Sequence, residues 1–227
     1  GQKPDPTTGA IMTPIYQTST YVQESPGKDK GYAYARGKNP TRTALEKCIA
    51  ALENAKYCLC FSSGMGAADA IIKLLLPGDE VICCNDLYGG SYRMFTKVFA
   101  PMGIVFHFVD MDNASNINKF INEKTKMLWV ETPTNPTMKI IDISACAEIS
   151  KKKKLILAVD NTFASPFLQN PINLGADLVM HSVTKYLSGH SDVVMGAICS
   201  IDEKLYERLS FIHNSCGATP GPMDSFL

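Results

Sequence analysis

Seven short apolar runs, separated by stretches with helical spacing, fix most of what this chain can fold into. The runs are YCLCF (57–61), EVICC (80–84), IVFHFV (104–109), MLWVE (127–131), LILAVD (155–160), DLVMHS (177–182) and VVMGAICS (193–200). They read as strands apolar on both faces rather than as alternating, half-solvated ones. Between most of them lie helical stretches such as AADAIIKLLL, SYRMFTKVFAPM and ISACAEISKKKK. Upstream, NPTRTALEKCIAALENA places Leu45, Ile49 and Leu52 on one helical stripe, with Pro40 and Thr41 suited to its first turn. Doubly buried strands joined by helices predict an α/β fold, a three-layer α/β/α domain around a mostly parallel seven-stranded sheet.

The first 30 residues, rich in Pro, Thr and Gly and without periodicity, read as an extended arm that lies on its own domain or on a second subunit. Residues 31–217 then form one large domain. Charge narrows the partners: 22 Lys plus Arg balance 22 Asp plus Glu, so no net field recruits nucleic acid or an anionic membrane. A small molecule is the expected partner. The apolar stretches are too short to cross a bilayer and the N-terminus carries no signal-peptide pattern, which predicts a cytoplasmic protein. Cys58, Cys60, Cys83, Cys84 and Cys199 fall inside strand-like runs and no C-x-x-C pair occurs, so buried free thiols are expected and a metal site is not.

In a parallel sheet, ligands sit beyond the carboxyl ends of the strands. Ser62–Gly66, Asn85–Tyr88, Thr132–Asn135, Asp160–Thr162 and Ser182–Lys185 all fall there. FSSGMGAAD opens a helix, so its backbone N–H groups and helix dipole offer a seat for one phosphate. Asp69, at the last position of a dinucleotide-type G-x-G-x-x-G, is unsuited to a pyrophosphate; a tight turn without ligand is the plainer alternative. Asp160 ends the most apolar strand, where a carboxylate needs a cation or hydrogen bonds, and a structural cap or pair reads equally well. Lys185 in isolation reads as a solvated charge, yet it follows Ser182 and Thr184 at a strand end. An amine held there can lose its proton and become a nucleophile. A phosphate seat, a buried carboxylate and an amine at one edge, with Tyr88 available to stack on a flat ring, suit pyridoxal phosphate.

YARGKNPTR, SSGMGA, DLYGGSYR, ETPTNP, VDNTFASP, LGADLVMHSVTKYLSGHSDVVMG and FIHNSCGATPGPMDSFL resemble, in order, the motifs of the Cys/Met-metabolism family of pyridoxal-phosphate enzymes, across essentially the whole chain. The resemblance implies the large domain of the fold type I pyridoxal-phosphate transferases. It implies that Lys185 forms the Schiff base and shuttles protons, that Asp160 partners the pyridinium, and that Tyr88 stacks on the ring. It also implies phosphate ligands in Ser182, Thr184 and the backbone of Gly64 and Met65. Tyr34 and Arg36 would reach the phosphate in a neighbouring subunit of a homodimer or homotetramer. Asn135 matches a residue near the cofactor and the substrate carboxylate, and Arg93 a second cationic position.

Within the family the expected activity is that of cystathionine γ-lyase, giving cysteine, 2-oxobutanoate and ammonia. Cystathionine γ-synthase is the alternative, favoured by YGGSYR and LQNP. Gly90 stands where methionine γ-lyases usually carry Cys, which argues against that member. Ala33 replaces an acidic residue common in γ-lyases and γ-synthases, which implies one partner fewer for the substrate's distal amino group. Residues 218–227 read as the start of a linker helix to a C-terminal domain outside this sequence, the domain that carries the family's carboxylate-clamping arginine. Two readings from other classes are a Rossmann-type NAD module built on GMGAAD and a folded, non-catalytic fragment.

Overall fold

A computed structural model describes residues 2–227. All seven apolar runs form strands: β1 (Tyr57–Phe61), β2 (Glu80–Cys84), β3 (Val105–Val109), β4 (Thr125–Glu131), β5 (Ile156–Asp160), β6 (Leu178–Ser182) and β7 (Gly196–Ser200). They build one sheet in the order β1-β7-β6-β5-β4-β2-β3. Only β7 runs against its neighbours, pairing antiparallel with both β1 and β6. The remaining pairs are parallel. Because β1 is reversed twice through β7, it points the same way as β2 to β6. The segments that follow these strands therefore emerge along one edge of the sheet.

Among the described residues, seven α-helices accompany the sheet: α1 (Pro40–Leu52), α2 (Gly64–Ile72), α3 (Gly89–Met94), α4 (Ile143–Lys153), α5 (Ser165–Leu168), α6 (Glu203–Cys216) and α7 (Pro222–Phe226). Local chemistry sets their starts. The Asn39 side chain accepts from the N–H groups of Thr41 and Arg42 ahead of Pro40, and Asp142 and Asp202 cap α4 and α6 in the same manner. The core is continuous, from Phe61, Ile71 and Ile72 through Leu128 and Trp129 to Leu157 and Leu178. Phe95 sits between rings, stacked on Phe106 at 4.8 Å and edge-on to Trp129 at 5.2 Å.

Three elements differ from the sequence expectation. The run 193–200 becomes a strand only at Gly196, because Thr184 ties down its first residues: the Thr184 N–H donates to the Met195 carbonyl at 3.2 Å, and the Met195 N–H donates to the Thr184 hydroxyl at 3.0 Å. The helix expected over 91–102 is α3 followed by a π-type turn (Phe95–Phe99) and a 3₁₀ turn (Ala100–Met102) that ends at left-handed Gly103. Helix α2 begins three residues before AAD, where Ser63 accepts from the Gly66 N–H at 2.9 Å. Residues 2–30 contain no helix or strand. Part of this arm lies on the start of α1: the Tyr16 N–H donates to the Thr41 hydroxyl, and the Asn39 amide donates to the Tyr16 carbonyl, both at 2.9 Å. Cys58, Cys60, Cys83, Cys84 and Cys199 are buried and free, as expected. No helix among the described residues is long and apolar enough to cross a membrane.

Candidate functional site

A cavity of about 260 Å³ opens at the edge where β1, β4, β5 and β6 end. Two close backbone approaches shape its inner wall. A Cβ on Gly64 would lie 2.8 Å from the Ser182 Cβ, so the missing side chain lets the first turn of α2 abut the end of β6. Gly196 in β7 lies directly under the same turn, where an added Cβ would collide with the Ser63 carbonyl and stand 2.9 Å from the Gly64 Cα. Backbone cannot yield as a flexible side chain does. Gly196→Ala is therefore expected to destabilise the fold by about 3 kcal/mol and displace the α2 turn, which chemical denaturation would report as a lowered midpoint.

Several sequence-predicted groups line the cavity with unspent bonding capacity. No acceptor among the described residues reaches the N–H groups of Gly64 or Met65, and the Ser182 hydroxyl makes no hydrogen bond of its own. Asp160, 6% exposed, accepts from the Thr162 N–H at 3.1 Å and its hydroxyl at 2.5 Å, both through Oδ1. Its Oδ2 has no donor among the described residues. Burial pushes the Asp160 carboxyl above its usual range, against the opposing pull of the Thr162 bonds and of His181. Lys185, in the turn after β6, lines the same cavity with an unpaired Nζ. The Tyr88 ring, 44% exposed, lines it from the start of α3.

Other predicted residues stand differently. Asn135 lines the cavity and its side-chain amide is free of protein partners. Thr184 also lines it, but its hydroxyl is engaged with Met195. Arg93 stands on the exposed face of α3, outside the lining. Tyr34 and Arg36 are also exposed and away from this cavity, with the guanidinium 5.4 Å from the Tyr34 ring centre.

Three polar groups were not singled out from the sequence. Glu131 ends β4 beside Asp160, in register with it, and burial and that neighbouring carboxylate raise its own to about 8. Arg42, 2% exposed, donates to the carbonyls of Ala35, Arg36 and Gly37 and so fixes the turn that presents Arg36. On the opposite side of β6 from Ser182, His181 meets the buried Glu53 at 2.5 Å, and Asn161 donates to the same carboxylate oxygen at 2.8 Å. The first two lie in quoted motifs, ETPTNP and NPTR, and a charged residue amid apolar and turn residues was the available signal.

Comparison with known proteins decides the family. The model for the Cys/Met metabolism PLP-dependent enzymes matches residues 1–227. The chain belongs to this family. Pyridoxal phosphate is accordingly the cofactor of the enzymes to which it is related. It is 50% identical over its whole length to a probable cystathionine γ-synthase of Herpetosiphon aurantiacus, covering 71% of that protein. It is 50% identical to a cystathionine β-lyase of Coxiella burnetii, covering 59% of it, and 48% identical to the human cystathionine γ-lyase, covering 56%. Among solved structures, metB from Corynebacterium glutamicum superposes with a TM-score of 0.98 at 46% identity. A Lactobacillus plantarum cystathionine γ-lyase complexed with L-serine superposes with a TM-score of 0.97 at 39% identity. The chain covers all of itself and 59% of each of these two.

The cavity suits the family's cofactor on its own chemistry. Two unclaimed N–H groups beside a free hydroxyl can receive a phosphate, and a buried carboxylate oxygen without a donor can receive a protonated ring nitrogen. The NAD reading lacks support: the family match takes its place.

Proposed function

We propose that this chain is the cofactor-binding part of a transsulfuration enzyme of the cystathionine γ-lyase type, cleaving the Cγ–S bond of cystathionine to cysteine, 2-oxobutanoate and ammonia. The observation that carries the pyridoxal-phosphate part of this reading is the convergence, in one cavity, of the Lys185 amine, the undonated Asp160 oxygen, the Tyr88 ring and the open α2 turn, and the preference for the lyase leans on the segments ETPTNPTMK and GPMDSFL. Bound there, pyridoxal phosphate supplies an electron-poor ring that stores the electron pair left when the substrate Cα–H bond breaks.

The chain's own groups divide the remaining work. Lys185 Nζ would hold the cofactor aldehyde and, as a free amine, would move protons at Cα and Cβ of the substrate. Asp160 Oδ2 holds a proton on the ring nitrogen, its charge favoured once a cation faces it. Tyr88 covers one face of the ring. The Gly64 and Met65 N–H groups and the Ser182 hydroxyl bind the phosphate, and Thr184 joins them when its hydroxyl turns from Met195. Asn135 offers its free amide to the cofactor or the substrate carboxylate. Arg93 requires a change of position, or a neighbouring subunit, to serve as a second cation. Tyr34 and Arg36, exposed on a turn fixed by Arg42, are suited to a phosphate in another copy, which implies a homodimer or homotetramer. Eight cysteines without a disulfide suit the cytoplasm.

A γ-synthase is the second reading, supported by the 50% identity to the Herpetosiphon protein and by Gly90. Both reactions use the same residues, so product analysis separates them. The full-length protein is expected to release 2-oxobutanoate from cystathionine. Formation of cystathionine from O-activated homoserine only when cysteine is added, with no cleavage of cystathionine, would favour the synthase.

A further inference from the structure

Glu131 lines the cavity, is 5% exposed, and has no part in the chemistry proposed above. Its position at the end of β4 puts it in register with Asp160 on β5, so two carboxylates share one apolar floor. Leaving a second acid beside the one that faces the ring nitrogen is unfavourable in itself, since burial and like charge both oppose its ionisation. Its hydrogen bonds account for it. Oε2 accepts from the Tyr88 N–H at 2.8 Å and Oε1 from the Asn135 N–H at 2.8 Å. These two amides are 47 residues apart in sequence, 135 against 88, and belong to the segments that follow β4 and β2.

We propose that Glu131 is a positioning residue: one carboxylate, bridging the Tyr88 and Asn135 backbones, sets the separation between the ring-stacking side chain and the polar group near the substrate. The inference rests on the pyridoxal-phosphate reading of the cavity. Tyr88 enters α3 without a side-chain cap of its own, so the Glu131 bond is what fixes the backbone from which the ring projects. The ring then folds over Gly90, where a Cβ would collide with it. Asp86 braces the same pair of segments lower down, accepting from the hydroxyls of Thr134 and Thr137 and from the Thr137 N–H. With the segments held there, loss of the Glu131 bridge loosens the slot without unfolding the sheet.

Glutamine has the same shape, but its NH₂ can only donate and must face one of the two N–H donors, whereas either oxygen of a carboxyl group, charged or neutral, can accept. Aspartate keeps two acceptors but is a methylene short and can reach only one amide. In the full-length protein, Glu131→Gln is expected to retain the borohydride-trapped pyridoxyl adduct on Lys185. Its dissociation constant for pyridoxal phosphate should rise about tenfold, as for the loss of one buried hydrogen bond with a donor left facing a donor. Its visible circular dichroism should fall by about half relative to absorbance, because a loosely stacked ring loses its fixed asymmetric environment. Glu131→Asp is expected to move both readouts in the same direction and decides the matter if the glutamine variant does not fold. A variant that melts earlier yet keeps the wild-type dissociation constant and dichroism-to-absorbance ratio would overturn the positioning role. Wild-type protein that takes up no pyridoxal phosphate would overturn the underlying reading and this one with it.

Discussion

Replacing Lys185 with Ala in the full-length protein is expected to lower kcat/KM for cystathionine by at least ~10⁴-fold, since in the proposed function one amine would both hold the cofactor and move the substrate protons. The fold should scarcely register the change. Lys185 is exposed in a turn, and its Nζ makes no hydrogen bond or ion pair among the described residues, so no buried partner is orphaned by its loss. The turn itself is held by backbone bonds that Ala retains, from the Lys185 N–H to the Ser182 carbonyl and from the Gly189 N–H to the Lys185 carbonyl. Kinetics run beside a thermal melt check this: activity lost with an unchanged midpoint fits a chemical role. Activity within tenfold of wild type would rule out Lys185 as the reacting amine.

Asp160→Asn is expected to move stability and activity in opposite directions. Both Thr162 bonds end on Oδ1, and an asparagine carbonyl can accept them, so the local turn survives. What disappears is a carboxyl whose folded-state pKa is raised by burial. A group that binds its proton more tightly when folded makes the native state lose stability as pH rises from the unfolded-state pKa through the folded one. Above that window the charged form is a net cost to the cofactor-free fold. The cofactor-free Asn variant should therefore melt no lower than wild type at pH 7 and lose part of the decline in stability toward neutral pH. With the cofactor, the same variant would lack the anion proposed to keep the ring nitrogen protonated. Loss of one charge-assisted bond, ~3 kcal/mol, lowers kcat about 10²-fold. Parallel loss of stability and activity would instead assign Asp160 a purely structural role.

The architecture was legible because doubly apolar strands admit few arrangements. YCLCF and EVICC match β1 and β2 to the residue, since burial of both faces leaves no ambiguity of register with solvent. Strand direction was not legible: nothing in the apolarity of VVMGAICS announces that β7 alone runs backwards, or that a threonine hydroxyl eleven residues upstream delays its start. The short α5 was hidden in FASPFLQNP, where proline and polar residues read as loop. Among the residues that line the cavity, those whose own chemistry is distinctive were singled out in the sequence: a lysine at a strand end, an aspartate closing an apolar run, glycines opening a helix. Glu131 and Arg42 were not, because their roles consist of bonds to backbone groups, and a backbone amide carries no signature in the sequence. The Glu53–His181 pair was missed for a related reason, as its two members are 128 residues apart.

Borohydride reduction of the pyridoxal-phosphate-loaded protein, followed by peptide mapping, tests the central claim most directly. Loss of the visible band and a single pyridoxyl adduct on Lys185 are expected. Labelling of Lys56, of Lys73, which is ion-paired with Asp69 at 2.6 Å, or of Lys204 instead would contradict it, as would the absence of any adduct.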